Sequence, residues 1–478
     1  MKHCSLFERR TKIVCTMGPA TDSRPAMEQL IKGGMNIARF NLSHGTHNEH
    51  AQRIRTLRQL ARDSATPVAM LLDMPGPKYR TGKLKGGQAV LRRAAPVTIT
   101  TRQTKGNAGL VSVNLPTLAQ DIKVGDTVLL DDGALQLKVL EKRGTEIRCG
   151  VIVGGILTEG RGLAVPGMRN SAPFITEALR KSIGFAVRHQ PDWLALSFVS
   201  SADDVNSVRT ILHRHGVEIP IIAKIERGAA LDGFDGILMA SDGIMVARGD
   251  LGVDIPLERV PLVQKEIIKK CNQAGKPVIT ATQMLESMIS APWPTRAEVT
   301  DVANAIFDGT DAVMLSGETS IGKYPTQAVG MMAKIAREAE DKLPYEQVLS
   351  ERARWLEQKT SELISYSACH TAQILKAKAL VAFTQSGSTA GRVSKYRPRM
   401  PIVAITPDAA VAKRLVLRWG VYPFQIAGAS SVEELFATGA RLSKELGLAK
   451  RGDLIVTTGG IPVGVAGSTN LLKVSKVG

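Results

Sequence analysis

A chain of 478 residues with 44% apolar side chains is too long for one ordinary hydrophobic core and has material for two or three packed domains. Its formal net charge of +18 raises the question of a nucleic-acid ligand. The basic residues are dispersed and only 4% of side chains are aromatic, which argues against base-stacking platforms and fits small anionic ligands such as phosphates and carboxylates.

In chain order, the start from Met1 to Phe7, followed by Glu8-Arg9-Arg10, lacks the apolar run of a secretion signal. No later segment approaches the roughly 18 uncharged apolar residues of a membrane span. Short β-rich runs at Lys12–Cys15, Ile37–Asn41 and Val68–Asp73 then alternate with helical patterns. Between Gly76 and Val165 the alternation stops, and a stretch rich in Val, Thr, Gly and short turns predicts a small all-β domain inserted after the third strand. Strands resume at Trp193–Phe198, Ile221–Ile225, Gly243–Ala247, Val278–Thr282 and Ala312–Leu315, so that eight strands, most followed by an amphipathic helix, predict a (β/α)8 barrel.

After a helix over Thr326–Glu340, a Pro- and charge-rich connection from Asp341 to Gln358 leads into a further α/β pattern, with strands near Ala379–Thr384, Ile402–Ile405, Val421–Pro423 and Leu454–Thr458. The expected organisation is α/β throughout: barrel 1–75, β lid 76–166, barrel 167–345 and a C-terminal α/β domain 346–478. Cys4, Cys15, Cys149, Cys271 and Cys369 are scattered without metal-ligand spacing, which predicts reduced thiols and a cytoplasmic protein.

In such a barrel, chemistry sits where strands end on one face. Arg39, Asn41, Ser43 and His44 close the second strand and Asp73 the third. Lys224 and Glu226 close the fifth, Asp250 follows the sixth, Thr282 and Gln283 end the seventh, and Ser316 and Glu318 the eighth. Each has a structural reading taken singly: Ser43 or Thr295 as a helix cap, Arg39 as the partner of a structural carboxylate. Together on one rim they are costly unless a ligand uses them.

In Ile222-Ala-Lys-Ile-Glu226, a lysine and a carboxylate two residues apart on a strand point the same way. With Asp250 they offer two oxygen ligands for a hard divalent ion, Mg2+ or Mn2+, beside a cation. The backbone of Ala247-Arg248-Gly249 suits a substrate carboxylate. Arg39, Lys224 and a metal would surround a phosphoryl group in transfer and stabilise an enolate, and Thr282 is placed for a proton relay in which water participates.

These segments, with Thr11-Lys-Ile-Val14, Arg39-Phe-Asn-Leu-Ser-His-Gly45, Met245-Val-Ala-Arg-Gly-Asp-Leu-Gly252, Ala281-Thr-Gln-Met-Leu-Glu-Ser-Met288, Pro294-Thr-Arg-Ala-Glu298 and Met314-Leu-Ser-Gly-Glu-Thr319, resemble the signatures of the pyruvate kinase family. The resemblance implies phosphoryl transfer from phosphoenolpyruvate to ADP, giving pyruvate and ATP, by a homotetramer. By it, Lys224, Thr282 and Arg39 are catalytic, Glu226 and Asp250 hold the metal, and Arg39, Lys224, Ala247, Arg248, Gly249, Asp250, Thr282 and Ser316 bind substrate. Asn41, His44 and Arg80 would face ADP, and the β domain would close over the site.

Departures from the family pattern are informative. Arg161-Gly-Leu-Ala164 stands where the family has Lys-Gly-Val-Asn, keeping a nucleotide-facing cation at Arg161 but losing the asparagine, and Asp254 replaces a glutamate. Leu72-Asp-Met-Pro-Gly-Pro-Lys-Tyr-Arg80 carries Met74 and Lys78 where potassium-activated members have Thr and Glu. The Lys78 ammonium is therefore expected to replace a monovalent cation near Asn41, Ser43 and Asp73, so that K+ is not required.

In the C-terminal domain, Thr384-Gln-Ser-Gly-Ser-Thr-Ala390 leaves a strand and opens a helix, a phosphate cradle in which Thr384, Ser386, Gly387, Ser388 and Thr389 would hold a phosphorylated sugar or nucleotide effector. Its likeness to the family's effector loop draws support from Lys395-Tyr-Arg-Pro-Arg399 and Gly460-Ile-Pro-Val-Gly464, and a monophosphate is favoured because no second phosphate clamp is legible. Two rivals remain at this stage. A pyruvate-enolate lyase or aldolase would not need the lid, His44 or Arg80, and a nucleic-acid binder would leave the rim constellation accidental.

Overall fold

The computed structural model describes residues 7–64, 66–427, 431–462 and 467–478. Cys4, and Val463 and Gly464 of the glycine-bounded C-terminal segment, lie outside the described residues.

Eight parallel strands close a barrel, each running beside its chain neighbour and the eighth, Ala312–Leu315, returning to the first, Lys12–Thr16. The strands are buried along their whole length, as expected where helices cover one face and packed side chains fill the other. Val14, Ile37, Leu71, Trp193, Ile222, Met245, Ile279 and Met314 fill one end of the barrel, against Val416 and Leu417 of the C-terminal domain.

Helix starts follow local sequence. Thr46 with Glu49, Ser201 with Asp204, and Thr295 with Glu298 form reciprocal capping boxes. Thr295 is thus a cap, whereas Ser43 is not, because Thr46 takes that role.

The chain leaves the barrel after Met74 and crosses the fourth strand at Gly76, where a Cβ would lie 2.4 Å from the Ser197 carbonyl oxygen, so only glycine passes. It then forms a curled seven-stranded sheet running from Tyr79–Arg80 to Leu110–Ser112 and a two-stranded ribbon, with their own apolar core. The C-terminal sheet has five strands, four parallel and one antiparallel, Thr469–Lys476, which the sequence reading did not include. The connection from Asp341 to Gln358 contains a helix, Tyr345–Ala353.

Buried polar contacts join the C-terminal domain to the barrel. Arg397 donates to Asp311 Oδ1 (2.9 Å), to Asn272 Oδ1 (2.9 Å) and to the Gly309 carbonyl (2.7 Å). The other Asp311 oxygen accepts from Val278 N–H (3.0 Å). At the N-terminus, Lys12 Nζ donates to the Val421 carbonyl (2.7 Å), and Gly420 N–H to the Arg10 carbonyl (2.9 Å).

Burial opposes the Asp311 charge, but the guanidiniums of Arg397 and Arg418 outweigh it and hold the carboxyl below its ordinary value. A carboxylate with a depressed folded pKa contributes stability above the ordinary carboxylate range and loses it as pH falls through the depressed value. Asp311→Asn, which strands Arg397, is expected to cost about 3–5 kcal/mol at neutral pH. In chemical denaturation the deficit should shrink below about pH 4; a deficit that stays constant into acid would sink the ion-pair account.

Candidate active site

Asp73 closes the third strand and is fully buried. Its Oδ2 accepts from Arg39 Nε (2.8 Å) and lies 2.7 Å from Arg39 Nη2, while its Oδ1 accepts from Lys224 Nζ (3.2 Å) and Ser197 Oγ (3.2 Å). Burial opposes the Asp73 charge, but Lys224 and Arg39 hold its pKa below the ordinary value. Arg39 also donates to Thr16 Oγ1 (2.8 Å), and that hydroxyl donates to the Leu315 carbonyl (2.8 Å).

Lys224 Nζ further contacts Ser197 Oγ (2.7 Å) and Glu226 Oε1 (2.9 Å). Burial disfavours its charge, yet Asp73 and Glu226 together raise its pKa, so the ammonium is kept charged. Glu226 is 2% exposed and accepts Phe198 N–H (2.6 Å) on its other oxygen. Burial pushes its carboxyl up, Lys224 pulls it down, and the charge of Asp250 adds to the upward push, leaving it raised.

Two carboxylates that repel one another, the buried Glu226 and the half-buried Asp250, are a fitting place for a divalent cation. Among the described residues no group of three or more His, Cys, Asp or Glu could hold a metal, and Glu226 and Asp250 make a pair of two. That suits Mg2+, which keeps waters and borrows substrate oxygens.

The sixth strand ends at Ala247 and turns into the short helix Arg248–Asp254. The Arg248 side chain points out of the mouth, donating to Asp301 (2.6 Å) and to the Thr282 carbonyl (2.8 Å). That carbonyl belongs to a strained corner, since Thr282 (φ 68°) and Gln283 (φ 55°) are both left-handed, an outlier for a β-branched residue. The corner aims the Thr282 hydroxyl, which donates to the Ala281 carbonyl (2.6 Å) and accepts Gly249 N–H (2.7 Å). Ser316 Oγ is buried without a partner, while the Ser316 N–H donates to Glu318 (2.6 Å).

A narrow cleft of about 40 Å³ between lid and barrel mouth is lined by Lys78, Asp132, Phe198, Glu226, Arg227 and Asp250 among others. Lys78 makes an ion pair with Asp250 and stands 5.5 Å from the centre of the Phe198 ring. It makes no ion pair or hydrogen bond with Asn41, Ser43 or Asp73, correcting the expected placement. Both Asp73 oxygens are already committed to Arg39, Lys224 and Ser197, so the Lys78 ammonium goes instead to Asp250.

Asn41, beside Asp73 in register, accepts the Ser43 N–H (3.1 Å), and Met74 is wholly buried. His44 lies beyond them, its pKa lowered by burial and by Arg80, Arg39 and Lys78, a cationic setting that suits an anion. Arg80 donates to the Gly160 carbonyl (3.1 Å), and Arg161 pairs with Asp131 (3.2 Å) on the lid. Asp254 accepts the Gly228 N–H (2.6 Å), so the shorter side chain still ties its loop.

In the C-terminal domain a cavity of about 470 Å³ is lined by Thr384, Ser388, Thr389, Arg441, Ser468 and Thr469, among others. Gly387 caps the helix Ser388–Lys395 with φ 88°, and Ser386 lies in the same turn. Thr384 Oγ1 is buried without a partner, and the Thr389 and Thr469 hydroxyls are 2.7 Å apart. Arg441 supplies a cation that the sequence reading did not find. The Lys395–Arg399 run does not join this cavity: Lys395 pairs with Glu362 (3.0 Å) and Arg397 with Asp311.

Thr16 and Ser197 were also missed, although each is a polar residue closing a barrel strand, here the first and the fourth. Asp73→Ala, which leaves the buried Arg39 without a counter-ion and Lys224 with Glu226 alone, is expected to cost about 3–5 kcal/mol in urea unfolding. Loss of under about 1 kcal/mol would show that solvent screens the pair.

Comparison with known proteins supplies an independent finding. The family model "Pyruvate kinase, barrel domain" matches residues 8–329, and "Pyruvate kinase, alpha/beta domain" matches 362–475. The chain is 47% identical over 471 residues to pyruvate kinase of Geobacillus stearothermophilus, covering 98% of this chain and 80% of that one. It is 45% identical over 472 residues to that of Staphylococcus aureus (strain MRSA252), covering 98% and 81%. A crystal structure of a pyruvate kinase from Cryptosporidium parvum superposes with a TM-score of 0.93 at 37% identity, covering 99% of this chain and 97% of that one.

Proposed function

The chain belongs to the pyruvate kinase family and is a phosphotransferase, and from that premise we propose how its own residues move the phosphoryl group of phosphoenolpyruvate to ADP, the last step of glycolysis. The observation that carries the residue assignment is the buried group Arg39, Asp73, Lys224 and Glu226, in which two cations share one carboxylate at the mouth.

In this reading the substrate carboxylate sits on the turn Ala247-Arg248-Gly249-Asp250, beside Thr282 and the unpartnered hydroxyl of Ser316. Arg39 and Lys224 hold the phosphoryl oxygens. A divalent cation, Mg2+ or Mn2+, on Glu226 and Asp250 would supply charge neutralisation when bound. An ADP β-phosphate oxygen attacks phosphorus, the bond to the enol oxygen breaks, and that oxygen's new negative charge is met by the Lys224 ammonium. The methylene carbon of the enolate then takes a proton relayed from water through the Thr282 hydroxyl, giving pyruvate. Arg248, held by Asp301, keeps the Thr282 corner in place. Asn41, His44, Arg80 and Arg161 would face the nucleotide, and the lid would exclude water that otherwise wastes the phosphoryl group.

Three finer properties belong to the same proposal. K+ independence rests on Lys78, whose tethered ammonium contributes its charge at Asp250, on the metal side of the site. Regulation by a phosphorylated metabolite rests on the Thr384–Thr389 turn, with Arg441 as a phosphate partner. A homotetramer is supported by large apolar side chains left in solvent, with Leu257 73%, Leu262 67% and Trp293 68% exposed on the barrel and Ile374 67% exposed in the C-terminal domain. The buried free thiols Cys15, Cys149, Cys271 and Cys369 suit the cytoplasm, and no helix among the described residues is long and apolar enough to cross a membrane.

The test is pyruvate formation from phosphoenolpyruvate and ADP with Mg2+ in potassium-free buffer. Full turnover is expected without K+, and Lys78→Glu should make activity depend on added K+. Wild-type turnover only after K+ is added would remove the role given to Lys78 while keeping the enzyme; no turnover in either buffer would remove the residue assignment as well.

A further inference from the structure

A cavity of about 870 Å³ lies where the N-terminal segment, the start of the helix Tyr345–Ala353 and one end of the C-terminal sheet meet. Its lining shares no residue with the cleft at the barrel mouth or with the cavity beside the Thr384 turn. Arg10, Lys376, Lys378 and Arg399 line it, against a single carboxylate, Glu346, over a floor that includes Tyr345 and Met400.

These groups differ in how they are paired. Arg10 is partly neutralised, 3.6 Å from Glu340, and its Nε donates to the Arg399 carbonyl (2.8 Å), which fixes its direction. Among the described residues the side chains of Lys376, Lys378 and Arg399 have neither an ion pair nor a hydrogen bond. The two other cations of the Lys395–Arg399 run are each matched by a buried acid, Glu362 or Asp311. Arg399 is the one cation of that run that lines this cavity. Glu346 stands in the first turn of its helix, whose N-cap Pro344 has no side-chain oxygen to bind the opening N–H groups, so the helix start adds partial positive charge on the same side.

Converging like charges repel, and a concave surface focuses their field. A ligand with two or more negative charges relieves it, and the apolar floor leaves room for an organic body. We propose that this cavity binds a small polyanion bearing at least two phosphate groups, at a place separate from the barrel mouth and from the Thr384 turn. Such a ligand would touch the barrel's N-terminal segment through Arg10 and the C-terminal sheet through Lys376, Lys378 and Arg399. Its binding would therefore depend on how those two parts are set against one another.

Inorganic pyrophosphate titrated into the full chain by calorimetry, without divalent metal and at about 0.1 M salt where exposed charges are screened beyond roughly 10 Å, tests this. The proteins compared are the wild type, the triple variant Lys376→Gln/Lys378→Gln/Arg399→Gln, Thr384→Ala/Ser388→Ala, and the lid control Lys83→Gln/Lys85→Gln. The expected result is one binding step weakened at least about tenfold in the triple variant alone, with inorganic monophosphate binding more weakly than pyrophosphate. Absence of binding to the wild type, unchanged binding in the triple variant, or an equal loss in the lid control would each overturn the proposal. Since the three exchanged side chains are exposed and unpaired, the triple variant should melt with the wild type, and a melting scan checks that its loss is not unfolding.

Discussion

The mouth of the barrel depends on one carboxylate. Arg39 and Lys224 are both buried within a site that must present positive charge to a ligand, and Glu226 alone, which reaches only Lys224, would leave Arg39 buried without a counter-ion. Asp73 resolves this by dividing its oxygens, one to the guanidinium and one to the ammonium. Both side chains thereby have fixed directions before any ligand arrives, and Asp73 with Glu226 keeps the Lys224 ammonium charged. Preorganised charge of this kind acts on a developing negative charge without the reorganisation water would require. Register makes it possible: Arg39 lies beside Leu71 and Asn41 beside Asp73 on neighbouring strands, so a long side chain two residues back reaches the carboxylate at the strand end.

Around that centre the backbone carries as much of the design as the side chains. Phe198, Thr282 and Gln283 all adopt left-handed conformations at strand ends. Two of these serve the mouth directly, since Phe198 turns its N–H onto Glu226 and the Thr282 corner aims a hydroxyl at the Gly249 N–H. The energy stored at such positions, about 1–3 kcal/mol each, is retained because surrounding contacts over-determine them. Arg248 is one such contact, tying the carbonyl of Thr282 to Asp301 on the helix Arg296–Asp308.

Much of this was legible in the sequence for a physical reason. Strand periodicity and the rule that chemistry gathers at strand ends locate Arg39, Asp73, Lys224, Glu226, Asp250 and Thr282 on one rim without any coordinates. What was not legible depends on which partner a charge finds. The sequence does not reveal that Asp73 is already saturated, so Lys78 looked like its neighbour when it is the neighbour of Asp250. Nor does it reveal that Lys395 and Arg397 are consumed by buried acids, which made their run look like part of a phosphate cradle. The final strand, Thr469–Lys476, mixes polar and apolar residues at an exposed sheet edge, and so lacks the continuous apolar run that marks the barrel strands.

The stitching of the N-terminal segment into the C-terminal domain bears on how the chain can be made. The first barrel strand has no lateral partner on one side until Ala312–Leu315 has left the ribosome, and the Lys12 ammonium has no acceptor until Val421 follows. Such distant pairings exact a large loop-closure entropy and form late. During synthesis, the strand that begins the protein must therefore wait with an open edge for most of the chain's length. The β lid, whose strands pair only among themselves, is complete long before and can fold while the barrel that holds it is still unfinished.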